Sequence, residues 1–270
     1  ALTFTNAPNF EAPGCGANAD SNTCVVLLSV TDGATTDTIT VTVTVTDVNI
    51  AITANSANLA EDAANSDAVL TMASTGDAAD NDGWAITAGN TDGSDGDGNL
   101  PFAINSGTGA VTVNDADDID RESTASYTLT VSISDGTGAD VTANVVVTIT
   151  DVNDNTPVFD DDDSDGESST AAASVAENVQ AVGTYDATDG DAGAQLTYSI
   201  IAVGANAASV DSALFSINGA TGALTFTNAP NFEAPGCGAD TDSNTCVVLL
   251  SVTDTATTDT ITVTVSVTDV

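Results

Sequence analysis

The sequence has almost no positive charge and no histidine. It contains one Lys or Arg residue against 40 Asp plus Glu, which gives a formal net charge of −39. Nucleic-acid binding needs clustered Lys and Arg, so this balance excludes nucleic acid as a natural partner, and it also opposes docking on an anionic membrane. Without histidine, and with carboxylates too numerous for any pair to stand out, catalysis finds no support. The sequence therefore indicates a protein that is not an enzyme.

Aromatic residues and long apolar runs are also scarce. Aromatic side chains make up only 4% of the chain and no run of 18 apolar residues exists, so we expect no membrane insertion in this segment. The 41% hydrophobic content nevertheless supports cores built from Val, Ile, Leu and Ala. We expect the single Trp84 to lie in such a core rather than in a sugar-stacking platform. Because no signal peptide is visible, we expect a processed or excised piece of a longer protein.

The excess of carboxylates has two explanations that composition alone leaves open. Packed carboxylates repel one another unless cations lie between them, and a bound cation is then the largest local charge. The alternative is a halophilic, solvated acidic surface. The positions of the acidic residues along the chain distinguish the two.

The cysteines form two pairs with equal spacing, Cys15 with Cys24 and Cys237 with Cys246. Equal spacing in duplicated segments, with no histidine for a mixed zinc site, favours two local disulfides formed in an oxidising compartment. Free buried thiols are the alternative.

The chain contains a long internal repeat. Residues 1–48 recur at 223–270 with four differences. A period this long exceeds a single solenoid unit, so each period contains whole domains. A weaker similarity between 102–111 and 215–224 divides the period in two. We therefore predict a partial module at 1–49, a full module at 50–153 and a further module at 154–270.

The first of these modules is predicted to be half of a domain. Ala1 corresponds to Ala223, which directly follows a hairpin turn. A domain does not begin halfway round a hairpin, because its apolar face would lack partner strands. We expect the chain to be a window of a longer periodic polymer in which preceding chain supplies the missing half.

The predicted strands alternate Val or Ile on one face with Thr on the other, which is typical of half-buried strands. When the alternation of buried positions is continued by two residues, it reaches an acidic residue at the end of each strand. In the last strand of each module the residue is Asp47, Asp151 or Asp269. In the strand before it the residue is Asp32, Asp135 or Asp254.

These aspartates are predicted to lie at the two ends of each sandwich. An unpaired charge is too costly in a core, so each Asp must lie where its strand leaves the sandwich. Consecutive strands joined by a short loop are antiparallel, which puts the two sets at opposite ends, about 35 Å apart. Modules stacked end to end bring both sets together, and Ca²⁺, which takes about 6–8 oxygen ligands, fits such a junction.

Several motifs resemble those of cadherin extracellular repeats. Residues 151–157, Asp-Val-Asn-Asp-Asn-Thr-Pro, resemble the cadherin linker, and residues 119–122, Ile-Asp-Arg-Glu, resemble its acidic tetrapeptide. Residues 60–62 resemble the early-strand glutamate segment, while 189–193 and Asp254 resemble the upper acidic sites. The resemblance covers essentially the whole chain. It implies an all-β fold of tandem Greek-key, immunoglobulin-like β-sandwiches stacked end to end.

The same resemblance implies calcium ligands. The junction between the second and third modules is expected to bind up to about three Ca²⁺ ions. The expected ligands of this junction are Glu61, Asp120, Glu122, Asp151, Asn153, Asp154, Asn155, Asp189, Asp191 and Asp254. Candidates at corresponding positions elsewhere are Glu11, Asp47, Asn49, Asp135, Glu177, Glu233 and Asp269. After Asn49 the second Asp-Asn pair of the linker is lost, so fewer or weaker ions are expected at that junction.

The function implied is that of an extracellular, calcium-binding structural or adhesive repeat protein. Ca²⁺ would rigidify the junctions of a stalk or filament on a microbial surface or in its matrix. The expected partners are Ca²⁺ and further copies of the protein or a continuation of the same array, with surface glycans or proteins as further candidates. The alternatives are a calcium-dependent, lectin-like glycan- or protein-binding module and a spacer within a larger multidomain surface protein.

Overall fold

The chain folds into two compact units, Ala1–Thr150 and Asp151–Val270, each described by itself below. The computed structural model describes residues 1–10, 12–15, 21–53, 55–76, 83–93, 96–134, 140–160, 170–202, 210–238 and 243–270. Within these residues, no helix has the length and apolar character that crossing a membrane requires.

The first unit opens with a β-hairpin. Strands β1 (Thr23–Thr31) and β2 (Thr36–Thr44) pair antiparallel over their whole length and form a two-stranded sheet of their own. The Val, Ile and Thr residues of these strands favour extended backbone, as the alternating pattern predicts. Consecutive strands are thus antiparallel here, in agreement with the sequence-based expectation.

The rest of the first unit is a sandwich with nine strands among its described residues. They are β3 (Ala51–Thr53), β4 (Ser56–Ala60), β5 (Ala68–Thr71), β6 (Ala73–Thr75), β7 (Trp84–Ala88), β8 (Phe102–Ile104), β9 (Ala110–Val113), β10 (Ser126–Ile133) and β11 (Val141–Thr150). One sheet has the order β4-β11-β10-β7 and another has the order β5-β9-β8, with β3 and β6 as a short separate pair. Strand β11 runs antiparallel to β10 and parallel to β4.

The core of this sandwich is centred on the long strands β10 and β11. Leu129, Val131 and Val147 have no exposed surface, because the alternation of these strands directs them towards the opposite sheet. Trp84 is 6% exposed and belongs to the same core, which confirms its predicted position. The burial of aliphatic side chains thus compensates for the scarcity of aromatic residues.

The second unit repeats this architecture. Its strands are β12 (Val158–Phe159), β13 (Thr170–Ala176), β14 (Ala181–Thr184), β15 (Ala187–Thr188), β16 (Thr197–Ile200), β17 (Phe215–Ile217), β18 (Ala223–Phe226), β19 (Thr245–Thr253) and β20 (Thr258–Thr268). The four-stranded sheet has the order β13-β20-β19-β16, the three-stranded sheet has the order β14-β18-β17, and β12 pairs with β15. As in the first unit, the last strand is antiparallel to its predecessor and parallel to an early strand. The predicted all-β sandwich fold is confirmed in both units.

One glycine turn recurs in both sandwiches, between β8 and β9 and between β17 and β18. Gly109 and Gly222 have φ of +68°, and their amides donate to the carbonyls of Asn105 and Asn218. A Cβ on Gly222 would collide with the backbone carbonyl of Tyr185. Glycine is therefore required for both the positive φ and the close approach.

Both cysteine pairs are disulfide-bonded, which confirms the prediction from their spacing. Cys15 is bonded to Cys24 and Cys237 to Cys246, with Cα–Cα distances of 4.7 Å in each case. Each bond ties the loop before a long strand, β1 or β19, to the start of that strand.

The two copies of the repeated segment differ in burial although they have nearly the same sequence. Ile261 on β20 has no exposed surface, whereas its counterpart Ile39 on β2 is 63% exposed. Alternation predicts Ile39 on a half-buried face. The structure leaves it in solvent because, among the strands of the described residues, β1 and β2 pair only with each other. Burial at these positions therefore depends on neighbouring strands rather than on local sequence.

The substitutions Ile261→Ala and Ile39→Ala test this difference as a matched pair. We expect Ile261→Ala to reduce the free energy of unfolding of the second unit by about 2–5 kcal/mol, since it removes buried methyl groups and leaves a cavity. Ile39→Ala should change the stability by less than about 0.5 kcal/mol. Native-state hydrogen exchange, resolved by peptide, measures both, and equal losses would contradict the observed difference in burial.

Candidate metal centre

A cluster of three carboxylates lies at one end of the sandwich in the first unit. It consists of Glu61, Asp120 and Glu122, which offer oxygens within 4.8 Å of one another. Glu61 directly follows β4, and its amide donates to the carbonyl of Thr150 at the end of β11. Its carboxylate accepts a 2.7 Å hydrogen bond from the amide of Arg121 and is 7% exposed. We call this group the lower cluster of the first unit.

Hydrogen bonds hold Asp120 of this cluster in the ionised form. The hydroxyl of Ser123 donates to its carboxylate and is the largest cause of a pKa below the ordinary value of 3.8. The amides of Ser123 and Glu122 contribute in the same direction. The neighbouring Arg121 lies 3.5 Å from Glu122, but both side chains are partly exposed, so this ion pair is weak. The cluster therefore retains strong negative charge.

The second unit contains an equivalent lower cluster, made of Glu177, Glu233 and Asp269. The amide of Glu177 donates to the carbonyl of Thr268 at the end of β20, as Glu61 does at the end of β11. Its carboxylate accepts a 3.2 Å hydrogen bond from the amide of Phe232 and is 8% exposed. Both sandwiches thus position a buried glutamate by the same two backbone contacts.

A third cluster, the upper cluster of the second unit, joins Asp189, Asp191 and Asp254. Asp254 follows β19 and is 3% exposed, yet it is not in the hydrophobic core. The amides of Thr257 and Ala256 donate to its Oδ1 at 2.7 and 2.9 Å. The bond from Thr257 is the largest cause of a lowered pKa at Asp254.

Residues of the linker bind this upper cluster. The side-chain amide of Asn155 donates to Asp191 at 2.9 Å and is the largest cause of the lowered pKa of Asp191. The backbone amides of Asp154 and Asn155 donate to the same carboxylate. Asp151 accepts a 3.0 Å bond from the amide of Ala192. The linker is thereby fixed against the upper end of the second unit.

Asn153 contacts the same end of the unit. Its side-chain amide lies 3.5 Å from the carbonyl of Asp254. The last of the predicted linker ligands therefore lies beside the upper cluster. Carboxylate, amide and backbone oxygens are all close to one another there.

The chemistry of these clusters fits Ca²⁺. All their ligand atoms are oxygens, which Ca²⁺ prefers, and oxygens bound at about 2.3–2.6 Å from one ion lie within about 5 Å of each other. The 4.8 Å limit that the three clusters satisfy agrees with this geometry. Within the described residues, the buried Oδ2 of Asp189 accepts no hydrogen bond, so it is free to bind a cation. Ionised carboxylates at such distances repel one another without one.

The remaining predicted ligands are Glu11, Asp47, Asn49 and Asp135. Asp47 is half-buried and Asn49 is exposed. Among the described residues, no group of three acidic side chains includes Asp47. Glu11 and Asp135 lie outside the described residues. The metal-binding role of all these residues stays a prediction.

Sequence reasoning missed Thr257 as a residue that positions the upper cluster. Its hydroxyl donates to the carbonyl of Asn155 at 3.2 Å, and its amide donates to Asp254. The signal is the spacing Asp-x-x-Thr, in which the Asp side chain accepts the amide three residues later. The same turn occurs at Asp32, which accepts the amide of Thr35 at 2.7 Å.

Comparison with family models gives a match over part of the chain. Residues 55–150 match the model of the cadherin domain. No curated protein sequence matches the chain significantly.

Comparison with solved structures also finds cadherin domains. The crystal structure of mouse cadherin-23 domains EC22–24 is 26% identical, with a TM-score of 0.63 over 92% of this chain and 74% of that chain. Extracellular cadherin domains 1–4 of protocadherin gamma B7 are 18% identical, with a TM-score of 0.62 over 92% of this chain and 58% of that one. The human desmocollin-1 ectodomain is 18% identical, with a TM-score of 0.55 over 87% of this chain and 45% of that one. At 18% identity the latter two show the fold alone. The chain therefore has a cadherin-like, immunoglobulin-like β-sandwich fold, with a match to the cadherin domain family over residues 55–150.

Proposed function

We propose that the protein is an extracellular, calcium-dependent structural and adhesive repeat in which Ca²⁺ rigidifies the junctions of a stalk or filament. The observation that carries the proposal is the binding of linker residues 151–155 to the upper carboxylate cluster of the second unit. The linker begins directly after Thr150, whose carbonyl accepts the amide of Glu61 in the lower cluster of the first unit. The chain thus connects two carboxylate clusters through a short acidic segment.

The linker between the two clusters is short. Thr150 and Asp154 are four residues apart, which corresponds to at most about 14 Å of extended chain. The proposed ligands are those predicted for the junction, from Glu61, Asp120 and Glu122 through the linker to the upper cluster. Bound Ca²⁺ would neutralise carboxylates that otherwise repel one another, and the junction would resist bending.

The junction that follows Asp47 is proposed to be weaker. Its linker lacks the second Asp-Asn pair, since Ile50-Ala51-Ile52 follows Asn49. We propose that it takes fewer ions or binds them with lower affinity, because Ca²⁺ affinity depends on the number and charge of its ligands. Strong and weak junctions would then alternate along a repeat array, which makes some joints stiffer than others.

The burial of tryptophan and tyrosine disfavours a lectin-like function. The single Trp84 and all three tyrosines, Tyr127, Tyr185 and Tyr198, are at most 7% exposed. Their amphipathic rings are therefore not available to stack on a sugar and donate to it. Further copies of this repeat are therefore the partners we propose first, ahead of glycans.

Removal of calcium should loosen the proposed junction. We expect EDTA to increase proteolytic cutting between Asp151 and Pro157 and to increase the flexibility measured by small-angle X-ray scattering. The reason is that unscreened carboxylates repel one another and no longer hold the linker. Limited proteolysis at fixed protease concentration, with excess Ca²⁺ restored as the control, measures the effect. Cleavage and scattering that do not respond to chelation would refute the mechanism.

Substitution of an upper-cluster carboxylate should weaken calcium binding. We expect Asp191→Asn to raise the dissociation constant for Ca²⁺ at the junction by at least about tenfold, because it removes one charged ligand. Asp37→Asn, on the exposed strand β2, removes the same charge away from the clusters and is the matched control. Isothermal titration calorimetry measures both variants. Equal affinities in the two variants would exclude Asp191 as a ligand.

A further inference from the structure

The hairpin β1–β2 exposes an apolar face that its sequence copy buries. Val30 is 70% exposed, Ile39 is 63% exposed and Leu28 is 38% exposed. Two further apolar residues upstream, Leu2 and Phe4, are 51% and 46% exposed. We call Leu28, Val30 and Ile39, which the strand register places on one side of the hairpin, the open face. Exposed apolar surface that is continuous along a strand pair typically marks an interaction site.

The copy at 223–270 differs at only four positions and has none of this exposure. Val252, Ile261 and Leu250 are fully buried there, and Leu224 and Phe226 are 1% and 4% exposed. The same side chains are therefore suited to a core, and what differs is the presence of covering strands.

The structure also identifies the covering strands. Strand β13 pairs parallel with β20, with Ala173 opposite Val265 and Val175 opposite Val267. Strand β16 pairs antiparallel with β19, with Tyr198 opposite Val252. All the covering strands and the buried side chains that complete this core come from residues 154–222: Phe159, Val175, Tyr185, Tyr198 and Phe215.

We propose that residues 1–48 are the acceptor for a half-module with the sequence of residues 154–222, supplied by another copy of this repeat. The register follows from the internal copy. A strand equivalent to Thr170–Ala176 adds parallel to β2 opposite Thr40–Thr46, and a strand equivalent to Thr197–Ile200 adds antiparallel to β1 opposite Leu28–Thr31. Backbone hydrogen bonds to both edges of the hairpin fix the register, and burial of the open face stabilises the product.

This acceptor role does not depend on calcium. The three side chains of the open face are apolar, and their burial is driven by the hydrophobic effect rather than by cation binding. Loss of the calcium function would therefore leave this proposal standing, and the reverse also holds.

The test joins residues 154–222 directly ahead of Ala1 in the full chain and measures amide hydrogen exchange by mass spectrometry. In the unmodified chain we expect peptides from 23–44 to exchange at least about 100-fold faster than those from 245–266. In the fusion we expect the two segments to exchange within about tenfold of each other. The differences Gly33/Thr255 and Thr44/Ser266 distinguish the two sets of peptides by mass.

The matched control is the same fusion with Ala173→Asp and Val175→Asp in the added segment only. In the fusion these charges would face Val43 and Val45 and prevent the added strand from packing. The amides of residues 23–44 should then exchange as fast as in the unmodified chain. Fast exchange in the fusion without these substitutions would overturn the proposal. A second result would also overturn it: light scattering detects a dimer of the unmodified chain, and its 23–44 peptides are already protected from exchange. The open face would then pack against the hairpin of a second molecule.

Discussion

The antiparallel pairing of the last two strands in each unit is the constraint on which the rest of the structure depends. In both sandwiches this pair supplies fully buried side chains, such as Leu129 and Val147 in the first and Leu250 and Ile261 in the second. The same alternation carries an acidic residue out of the core at each strand end. Core and carboxylate clusters therefore result from one geometric feature, the two-residue period of a β-strand.

The carboxylate clusters have few basic partners because the chain contains almost no basic residues. A single Lys or Arg faces 40 acidic residues, and it contacts a glutamate of the lower cluster with only a weak, partly exposed ion pair. Backbone amides position Glu61 and Glu177, and they lower the pKa of Asp254. Such bonds orient the carboxylates and, at Asp254, favour the ionised form, but they do not neutralise the negative charge. We propose that a divalent cation neutralises this charge.

The repeated segment shows that one sequence can have two degrees of burial. Residues 23–44 and 245–266 form the same hairpin with the same register, and both have a disulfide at its start. Within the part of the chain that the structure describes, only the second hairpin pairs with strands on both of its edges. Local propensity is thus sufficient for the hairpin, while the core requires strands from elsewhere.

The sequence by itself determined the strands, the disulfide pairs and the acidic positions at the strand ends, because alternation, equal cysteine spacing and the Asp-Val-Asn-Asp-Asn-Thr-Pro linker are local signals. It also led to the three residues of each lower cluster through resemblance to cadherin motifs. Only the tertiary structure decided which of these residues come together, that Thr257 positions Asp254 and Asn155, and that Ile39 is exposed while Ile261 is buried. The physical reason is that burial and ligand convergence depend on strands far apart in the chain, which no local pattern encodes.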